Sequence, residues 1–184
     1  MNRNELYHVF NRGNNKERIF FTDRNYKHFL KLFEKYLKDY AKLYAYCLMP
    51  NHFHFLIRIK NLPLIEEDEL TKRISQQFRF LFMSYSKGIN KERGRTGSLF
   101  QKNFKRKLVD NESYFTSLIA YIHLNPVKAG LAFKFPNWEY SSYNALLSLN
   151  ETQLARHEVL DWFGGRAGFI RFHEECLDLD LSRI

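Results

Sequence analysis

The sequence predicts an α+β fold with a ferredoxin-like β-α-β-β-α-β core and an antiparallel sheet. Short segments of alternating apolar residues indicate strands, and longer segments with apolar residues every three or four positions indicate helices. The two kinds of segment follow each other in the order of the split βαβ topology. The predicted elements are strand 6–12, helix 23–40, strand 43–48, strand 49–58, helix 66–85 and strand 99–109.

The first predicted strand ends at the turn signal Gly13-Asn14-Asn15. Thr22 and Asp23 are suited to cap the first helix, because short polar side chains accept hydrogen bonds from the free N–H groups of a helix start. The inward positions of that helix follow helical spacing. They are Phe29, Leu30, Phe33, Tyr36, Leu37 and Tyr40.

A Pro50-Asn51 turn joins the second and third strands and favours an antiparallel hairpin. Successive residues of a strand point to opposite faces of the sheet. The phenylalanine and isoleucine residues of segment 53–59 therefore share an apolar face. His52 and His54 share the other face.

The acidic segment Glu66-Glu67-Asp68-Glu69 favours a helix N-terminus, because the helix dipole stabilises negative charge there. Lys87 to Ser98 is predicted to be a glycine-containing basic loop. A last core helix is expected to begin at Asp110 or Asn111 and to end at Asn125-Pro126, since the residue before a proline disfavours helix.

The composition changes near Ser148, and residues 151–182 have a helical pattern broken at Gly164-Gly165. We therefore expect residues 1–147 to form the principal domain and residues 148–184 to form a helical C-terminal extension.

The charge of the chain is unevenly placed. The chain carries a formal net charge of +9, but residues 146–184 carry −3, so the first 145 residues carry +12. Eight basic residues and one acidic residue lie between Lys87 and Lys107. A local basic excess of this kind favours a polyanionic partner, most simply nucleic acid.

Other features of the composition favour a cytoplasmic protein. The two cysteines, Cys47 and Cys176, cannot form a disulfide framework. The N-terminus lacks the apolar core of a signal peptide, and no apolar run approaches the thickness of a bilayer. We therefore expect no membrane partner.

His52 and His54 are candidates to hold one metal ion, because alternate strand residues lie about 6–7 Å apart on one side. Tyr121 and Asn125 are four residues apart on the last core helix, so they share one face. An asparagine oxygen is a hard, neutral metal ligand. A His-x-His pair alone is a weak signal, and partly exposed strand histidines, a packed tyrosine and a helix-ending asparagine are the structural alternatives.

These motifs resemble those of a known enzyme family. Met49-Pro50-Asn51-His52-Phe53-His54-Phe55-Leu56 resembles the His-hydrophobic-His motif of the single-tyrosine transposases. Tyr121-Ile122-His123-Leu124-Asn125-Pro126-Val127-Lys128-Ala129-Gly130-Leu131 resembles their nucleophile motif, most of all that of the REP-associated tyrosine transposases. Segments 7–15, 97–101 and 138–143 also resemble that branch, and the resemblance covers about residues 5–145.

The resemblance implies a transposase that cleaves and rejoins DNA. Tyr121 would attack a phosphate and release a 3′-hydroxyl, giving a 5′-phosphotyrosine link that conserves the energy for rejoining. The resemblance also implies a divalent metal, Mg²⁺ or Mn²⁺, on His52, His54 and Asn125, where it would polarise the phosphate. Histidine and amide ligands suit manganese at least as well as magnesium.

The resemblance further implies a single-stranded DNA substrate, often an imperfect hairpin. Basic side chains would hold its phosphates, which position a strand without reading its sequence. The candidate DNA-binding residues are Arg12, Arg93, Arg95, Lys102, Lys105, Arg106, Lys107 and Lys128. We expect Arg93 and Arg95 to lie in a flexible loop that reaches base edges.

Two other hypotheses remain open at this stage. The first is a non-catalytic ferredoxin-like protein that binds single-stranded nucleic acid, such as a domesticated transposase. The second is a replication-initiator or relaxase nickase, which shares the histidine motif. The single nucleophile motif and the short chain favour the transposase, and the sequence leaves open whether the protein is a monomer or a homodimer.

Overall fold

A computed structural model describes residues 1–177 of the chain. Four strands form one antiparallel sheet with the order β2-β3-β1-β4. The strands are β1 (Leu6–Arg12), β2 (Ala41–Met49), β3 (His52–Ile59) and β4 (Lys105–Val109). The helices are α1 (Asp23–Leu37), α2 (Glu67–Arg93), α3 (Glu112–Lys128), α4 (Tyr143–Leu147), α5 (Arg156–Trp162) and α6 (Arg166–Glu175). The order β1-α1-β2-β3-α2-β4 is the split βαβ arrangement, so the predicted fold class is confirmed.

Helices cover both faces of the sheet. On one face, α1 and α2 pack against each other, and Phe29 of α1 contacts Phe53 of β3 with ring centroids 5.1 Å apart. On the other face, α3 packs against β2 and β3. His54 and Leu56 of β3 are buried on that second face. The alternation of β3 therefore directs its phenylalanines to α1 and its histidines to α3, as the sequence predicts.

The boundary between α2 and the segment after it differs from the prediction. The helix continues beyond Tyr85 to Arg93, so the predicted loop at residues 87–98 is wrong over its first half. The inward face of α2 extends to Ile89, which is 2% exposed, and burial of this residue favours continued helix. Gly94 then ends the helix in a left-handed conformation with φ of 59°.

Two further boundaries differ from the prediction. Strand β4 begins at Lys105 rather than Leu99, and Asn103 has φ of 62°, which interrupts extended backbone just before it. Helix α3 runs past Asn125 to Lys128 with Pro126 inside its last turn. A proline there removes only one hydrogen bond, and the N–H of Leu131 closes the helix end by donating to the carbonyl of Pro126 at 2.8 Å.

The C-terminal segment contains α5 and α6, separated as predicted by Gly164 and Gly165, which have φ of 69° and 99°. The predicted helical pattern at 178–182 lies outside the described residues. The division between a domain of residues 1–147 and an extension of residues 148–184 stays a prediction. Among residues 1–177, no helix combines the length and apolar character that crossing a bilayer requires.

A buried chain of hydrogen bonds joins α6 to α3. His173 Nδ1 lies 2.8 Å from the carbonyl of Phe169, so this nitrogen carries the proton and donates. His173 Nε2 is then an acceptor for His123 Nδ1 at 2.9 Å, and His123 Nε2 meets Ser142 Oγ at 2.7 Å. Two neutral imidazoles satisfy the whole chain when Ser142 Oγ donates to His123 Nε2.

This chain of hydrogen bonds predicts a pH dependence of stability. Burial lowers the pKa of His173 from 6.5 to about 4, against a raising effect of its bond to Phe169. The unfolded chain therefore binds more protons than the folded chain between these values, and stability falls as the pH drops from about 6.5 to 4. The loss due to this residue is at most about 3 kcal/mol.

The measurement is the free energy of unfolding in urea at several pH values between 4 and 7.5. His173→Gln keeps a donor and an acceptor but cannot titrate, so its stability should depend less steeply on pH. Identical slopes for the wild type and the variant would contradict the prediction.

Candidate active site

The two histidines of β3 lie in a cleft of about 270 Å³ on the α3 face of the sheet. The rings of His52 and His54 stand perpendicular to each other with centroids 5.2 Å apart. The ring of Tyr121 from α3 approaches His54 edge-on, with centroids 5.6 Å apart. The structure thus brings together three residues that the sequence places in two separate motifs.

One nitrogen of His54 has no hydrogen-bond partner among the described residues. Its Nδ1 lies 2.9 Å from Nε2 of His8 on the neighbouring strand. Its Nε2 is buried and finds no hydrogen-bond partner within residues 1–177. Because an unpaired buried polar atom costs free energy, this nitrogen is suited to a ligand that donates a proton or accepts a lone pair.

His52 is oriented by a similar contact. Its Nδ1 lies 2.7 Å from Oδ1 of Asn51, and an amide oxygen only accepts, so Nδ1 carries the proton and donates. The lone pair of the neutral ring is therefore on Nε2. Histidines that bind metals commonly have their other nitrogen held in this way.

Asn125 lies one helical turn after Tyr121 and beside His52. Its Nδ2 donates to the carbonyl of Tyr121 at 2.9 Å, which leaves Oδ1 available. The Asn125 side chain lies close enough to His52 to raise the pKa of the histidine, because an amide oxygen near the ring favours the protonated form. The predicted grouping of His52, His54, Tyr121 and Asn125 is present in the structure, although their roles stay predictions.

The environment keeps both histidines neutral. The pKa of His54 lies well below its usual range, first because the ring is buried and then because a proton on it would be repelled by Arg12 and by any proton on His8 or His52. Burial and then Arg12 also lower the pKa of His52, against the opposing bond to Asn125. Neutral imidazole is the form that binds metal ions.

His8 is a member of the site that the sequence analysis missed. It is 3% exposed, and its ring stacks on that of His54 with centroids 5.1 Å apart. Burial, with the charge of Lys107, lowers its pKa to about 4, so His8 is neutral and its Nε2 can accept a hydrogen bond from His54 Nδ1. Strand alternation places His8 and Phe10 on one face of β1, but only the pairing of β1 with β3 brings that face next to His54.

Five of the predicted DNA-binding residues lie in the cleft or on β4 beside it. Arg12, Lys102 and Lys105 line the cleft, and Lys107 lies on the same side of β4 as Lys105 with its ammonium 4.5 Å above the ring of Tyr114. Arg106 alternates to the opposite side of β4.

The three remaining predicted DNA-binding residues lie neither in the cleft nor on β4. The loop predicted around Arg93 and Arg95 is wrong for Arg93, which is the last residue of α2 and lies over the ring of Phe21 at 4.6 Å, whereas Arg95 does lie in the loop that follows. Arg95 pairs with Glu17 at 2.9 Å.

Lys128, also predicted to bind DNA, is not among the lining residues of the cleft. It lies near Cys176, whose thiol pKa is raised by burial and by Glu175 and lowered by Lys128.

Among residues 1–177, no group of three His, Cys, Asp or Glu side chains converges into a metal site. A metal ion in the cleft would therefore need the amide oxygen of Asn125, or oxygens of a substrate, in addition to His52 and His54. In the part of the chain that the structure describes, the lining residues of the cleft include Arg12, Lys102 and Lys105 and no carboxylate. The cleft is thus suited to an anionic substrate.

The chain is similar to known transposases. The family model described as "Transposase IS200 like" matches residues 3–125. A Haemophilus influenzae protein named "Putative REP-associated tyrosine transposase" is 28% identical over 105 residues, which cover 54% of this chain and 57% of that protein. The matched region thus spans less than two thirds of the relative.

One solved structure with a similar fold is described as a REP-associated tyrosine transposase bound to a REP hairpin. Its comparison with this chain gives a TM-score of 0.63 and 16% sequence identity, and the matched region covers 80% of this chain and 81% of that one. This likeness shows a shared fold. The family match itself extends from before β1 to Asn125 and so includes all four strands, both histidines of β3 and Tyr121. The chain therefore belongs to the IS200-like transposase family.

Proposed function

We propose that this protein cleaves and rejoins single-stranded DNA by attack of Tyr121 on a backbone phosphate. The observation that carries the proposal is the position of the Tyr121 ring, which faces His54 inside a basic cleft. A binding protein without chemistry has no need for a tyrosine, two oriented histidines and an amide in one place. The basic residues of the cleft fit the phosphates on either side of the reacting one.

We further propose that a divalent ion, Mg²⁺ or Mn²⁺, is held by Nε2 of His52, Nε2 of His54 and Oδ1 of Asn125. The unpartnered, buried Nε2 of His54 supports this assignment, as does the neutral state of both rings. Imidazole and amide ligands without a carboxylate match the donor set that Mn²⁺ accepts well. When bound, the ion would polarise the scissile phosphate and offset the negative charge of the displacement.

The reaction conserves the number of phosphodiester bonds. The Tyr121 oxygen forms a bond to phosphorus, and the bond from phosphorus to the 3′ oxygen breaks. The phenol loses its proton, and the leaving oxygen gains one to become a 3′-hydroxyl. Attack of a 3′-hydroxyl on the phosphotyrosine reverses the step and joins the strand, so no nucleotide hydrolysis is required.

The residues of this chain position the reacting groups. Helix α3 fixes the backbone of Tyr121, and Asn125 binds its carbonyl oxygen. Arg12, Lys102 and Lys105 hold phosphates of the strand in the cleft. This arrangement supplies the proximity that a weak nucleophile such as a phenol needs.

We propose a hairpin-forming strand as the substrate. The related solved structure is described as bound to a REP hairpin, and this chain shares its fold. A hairpin presents an unpaired flank beside a duplex. The unpaired flank suits a cleft on the sheet face that is lined by Arg12, Lys102 and Lys105.

Tyr121→Phe is expected to abolish covalent protein–DNA adducts, because it removes the attacking oxygen and little else. Binding of the same DNA should stay within a few fold of the wild type. The measurement is a denaturing gel of labelled hairpins incubated with Mn²⁺ or Mg²⁺, paired with fluorescence anisotropy under native conditions. Tyr114→Phe is the matched control, since Tyr114 lies on the same helix seven residues earlier. Adducts that persist in Tyr121→Phe and disappear in Tyr114→Phe would transfer the role to Tyr114.

Binding by the wild type without an adduct, on substrates that include the flanks of this gene, would instead favour a non-catalytic DNA-binding protein.

His8→Leu is expected to weaken binding of Mn²⁺ about 10–100-fold, the usual effect of removing a group that orients a metal ligand. The change deprives Nδ1 of His54 of its acceptor, so the ring loses its fixed tautomer and orientation. Electron paramagnetic resonance of free Mn²⁺ measures the affinity directly, independent of DNA cleavage. His28→Leu is the control, because His28 is exposed on α1. Equal Mn²⁺ affinities for His8→Leu and the wild type at matched thermal stability would contradict the role given to His8.

A further inference from the structure

A second groove, of about 410 Å³, lies beside the active-site cleft. The two share Arg12 and His52 among their lining residues, and their other lining residues differ. Lys102 and Lys105 lie in the cleft, whereas Lys16 and Arg18 lie in the groove. A strand that passes His52 can therefore continue into the cleft on one side and into the groove on the other.

The groove is positively charged. Arg12, Lys16 and Arg18 line it, and none of the other lining residues found within residues 1–177 is acidic. In the described part of the chain, neither Lys16 nor Arg18 forms a salt bridge, and the buried Nε of Arg12 has no hydrogen-bond partner. The neighbouring Glu17 is paired with Arg95 at 2.9 Å, so its charge is already compensated.

The backbone that carries Lys16 is built into an unusual conformation. Asn15 and Lys16 have φ of 52° and 60°, a region that a lysine rarely adopts. A side chain at Gly13 would place its Cβ 2.0 Å from the carbonyl oxygen of Glu17, so the turn requires glycine there. Conformations of this kind persist where the surroundings hold them, and they concentrate at functional sites.

Asn51 holds this turn against the histidine strand. Its Nδ2 donates to the carbonyl of Lys16 at 3.2 Å, and its carbonyl accepts from the N–H of Gly13 at 2.8 Å. The Oδ1 of the same side chain accepts from His52 Nδ1 at 2.7 Å. One residue thus fixes both the basic turn and the orientation of His52.

We propose that Arg12, Lys16 and Arg18 form a phosphate-binding subsite for the single-stranded flank that leaves the scissile phosphate on the side opposite Lys102 and Lys105. Asn51 is a positioning residue that holds this subsite at a fixed distance from His52. Leu131, which is 44% exposed at the edge of the groove, offers apolar surface to a sugar or base of the flank. This inference deepens the proposed function and rests on it.

The test uses binding of fluorescent oligothymidylates of 4 to 16 nucleotides, which requires neither cleavage nor a known recognition sequence. The double variant Lys16→Gln/Arg18→Gln should reach its maximal affinity at a shorter oligonucleotide than the wild type. The slope of log affinity against log salt should decrease by about 1.4, because each lost phosphate contact to a single strand removes about 0.7. Lys102→Gln/Lys105→Gln should show the same decrease, and combining the two double variants should decrease the slope by about twice as much.

Lys31→Gln/Lys91→Gln is the matched control, because it removes two exposed lysines from the outer groove between α1 and α2. A salt slope for Lys16→Gln/Arg18→Gln equal to that of the wild type, or changed only as much as in this control, would overturn the subsite. Failure of the proposed function is distinguishable, since it would appear as absence of wild-type adducts while the binding differences remain.

Asn51→Ala tests the positioning role separately. The charges of the subsite remain in this variant, so the salt slope should stay close to that of the wild type. The affinity for oligothymidylate at a single salt concentration should still decrease, because Lys16 loses its fixed position. Unchanged affinity in Asn51→Ala would overturn the role given to Asn51.

Discussion

The packing of α3 onto the histidine face of β3 is the contact on which the site depends. Leu118 and Ile122 of α3 are fully buried, as is Leu56 of β3 beside His54. This apolar contact sets the distance between the helix and the sheet, and it therefore sets the approach of Tyr121 to His54. The same contact removes His54 from water, which keeps the ring neutral and leaves its Nε2 without a partner in the described residues.

A second contact fixes the rotation of α3 about its axis. His123 lies on the side of the helix next to β2, where it meets Ser142 and, through its other nitrogen, His173 of α6. Apolar contacts tolerate small rotations, but a buried polar chain loses its hydrogen bonds if the helix turns. Tyr121, two residues before His123, is thereby held at a defined angle. The C-terminal helices thus act on the site through the helix that carries Tyr121 rather than through a side chain in the cleft.

Charge around the site increases with distance from the candidate reacting group. The residues next to the candidate reacting group are neutral histidines and amides, and the residues farther out are cations. Lys102 and Lys105 line the cleft, and Lys16 and Arg18 line the neighbouring groove that shares His52 with it. An anionic strand is attracted from both sides, while the uncharged centre leaves room for a phosphate and its counter-ion.

The sequence by itself determined the features that depend on local periodicity. Alternation along β3 predicted that His52 and His54 share a face, and the four-residue spacing predicted that Tyr121 and Asn125 lie one helical turn apart. Only the tertiary structure decided which residues from distant segments complete the site. His8 meets His54 across the pairing of β1 with β3.

The positions of the basic residues also depend on tertiary contacts that the sequence does not reveal. Lys16 reaches the groove through its contact with Asn51, whereas Arg93 is drawn away by the unpredicted last turns of α2. Sequence periodicity predicts on which face of its own helix or strand a side chain lies. Strand register and helix packing, which join residues far apart in the chain, decide which faces meet.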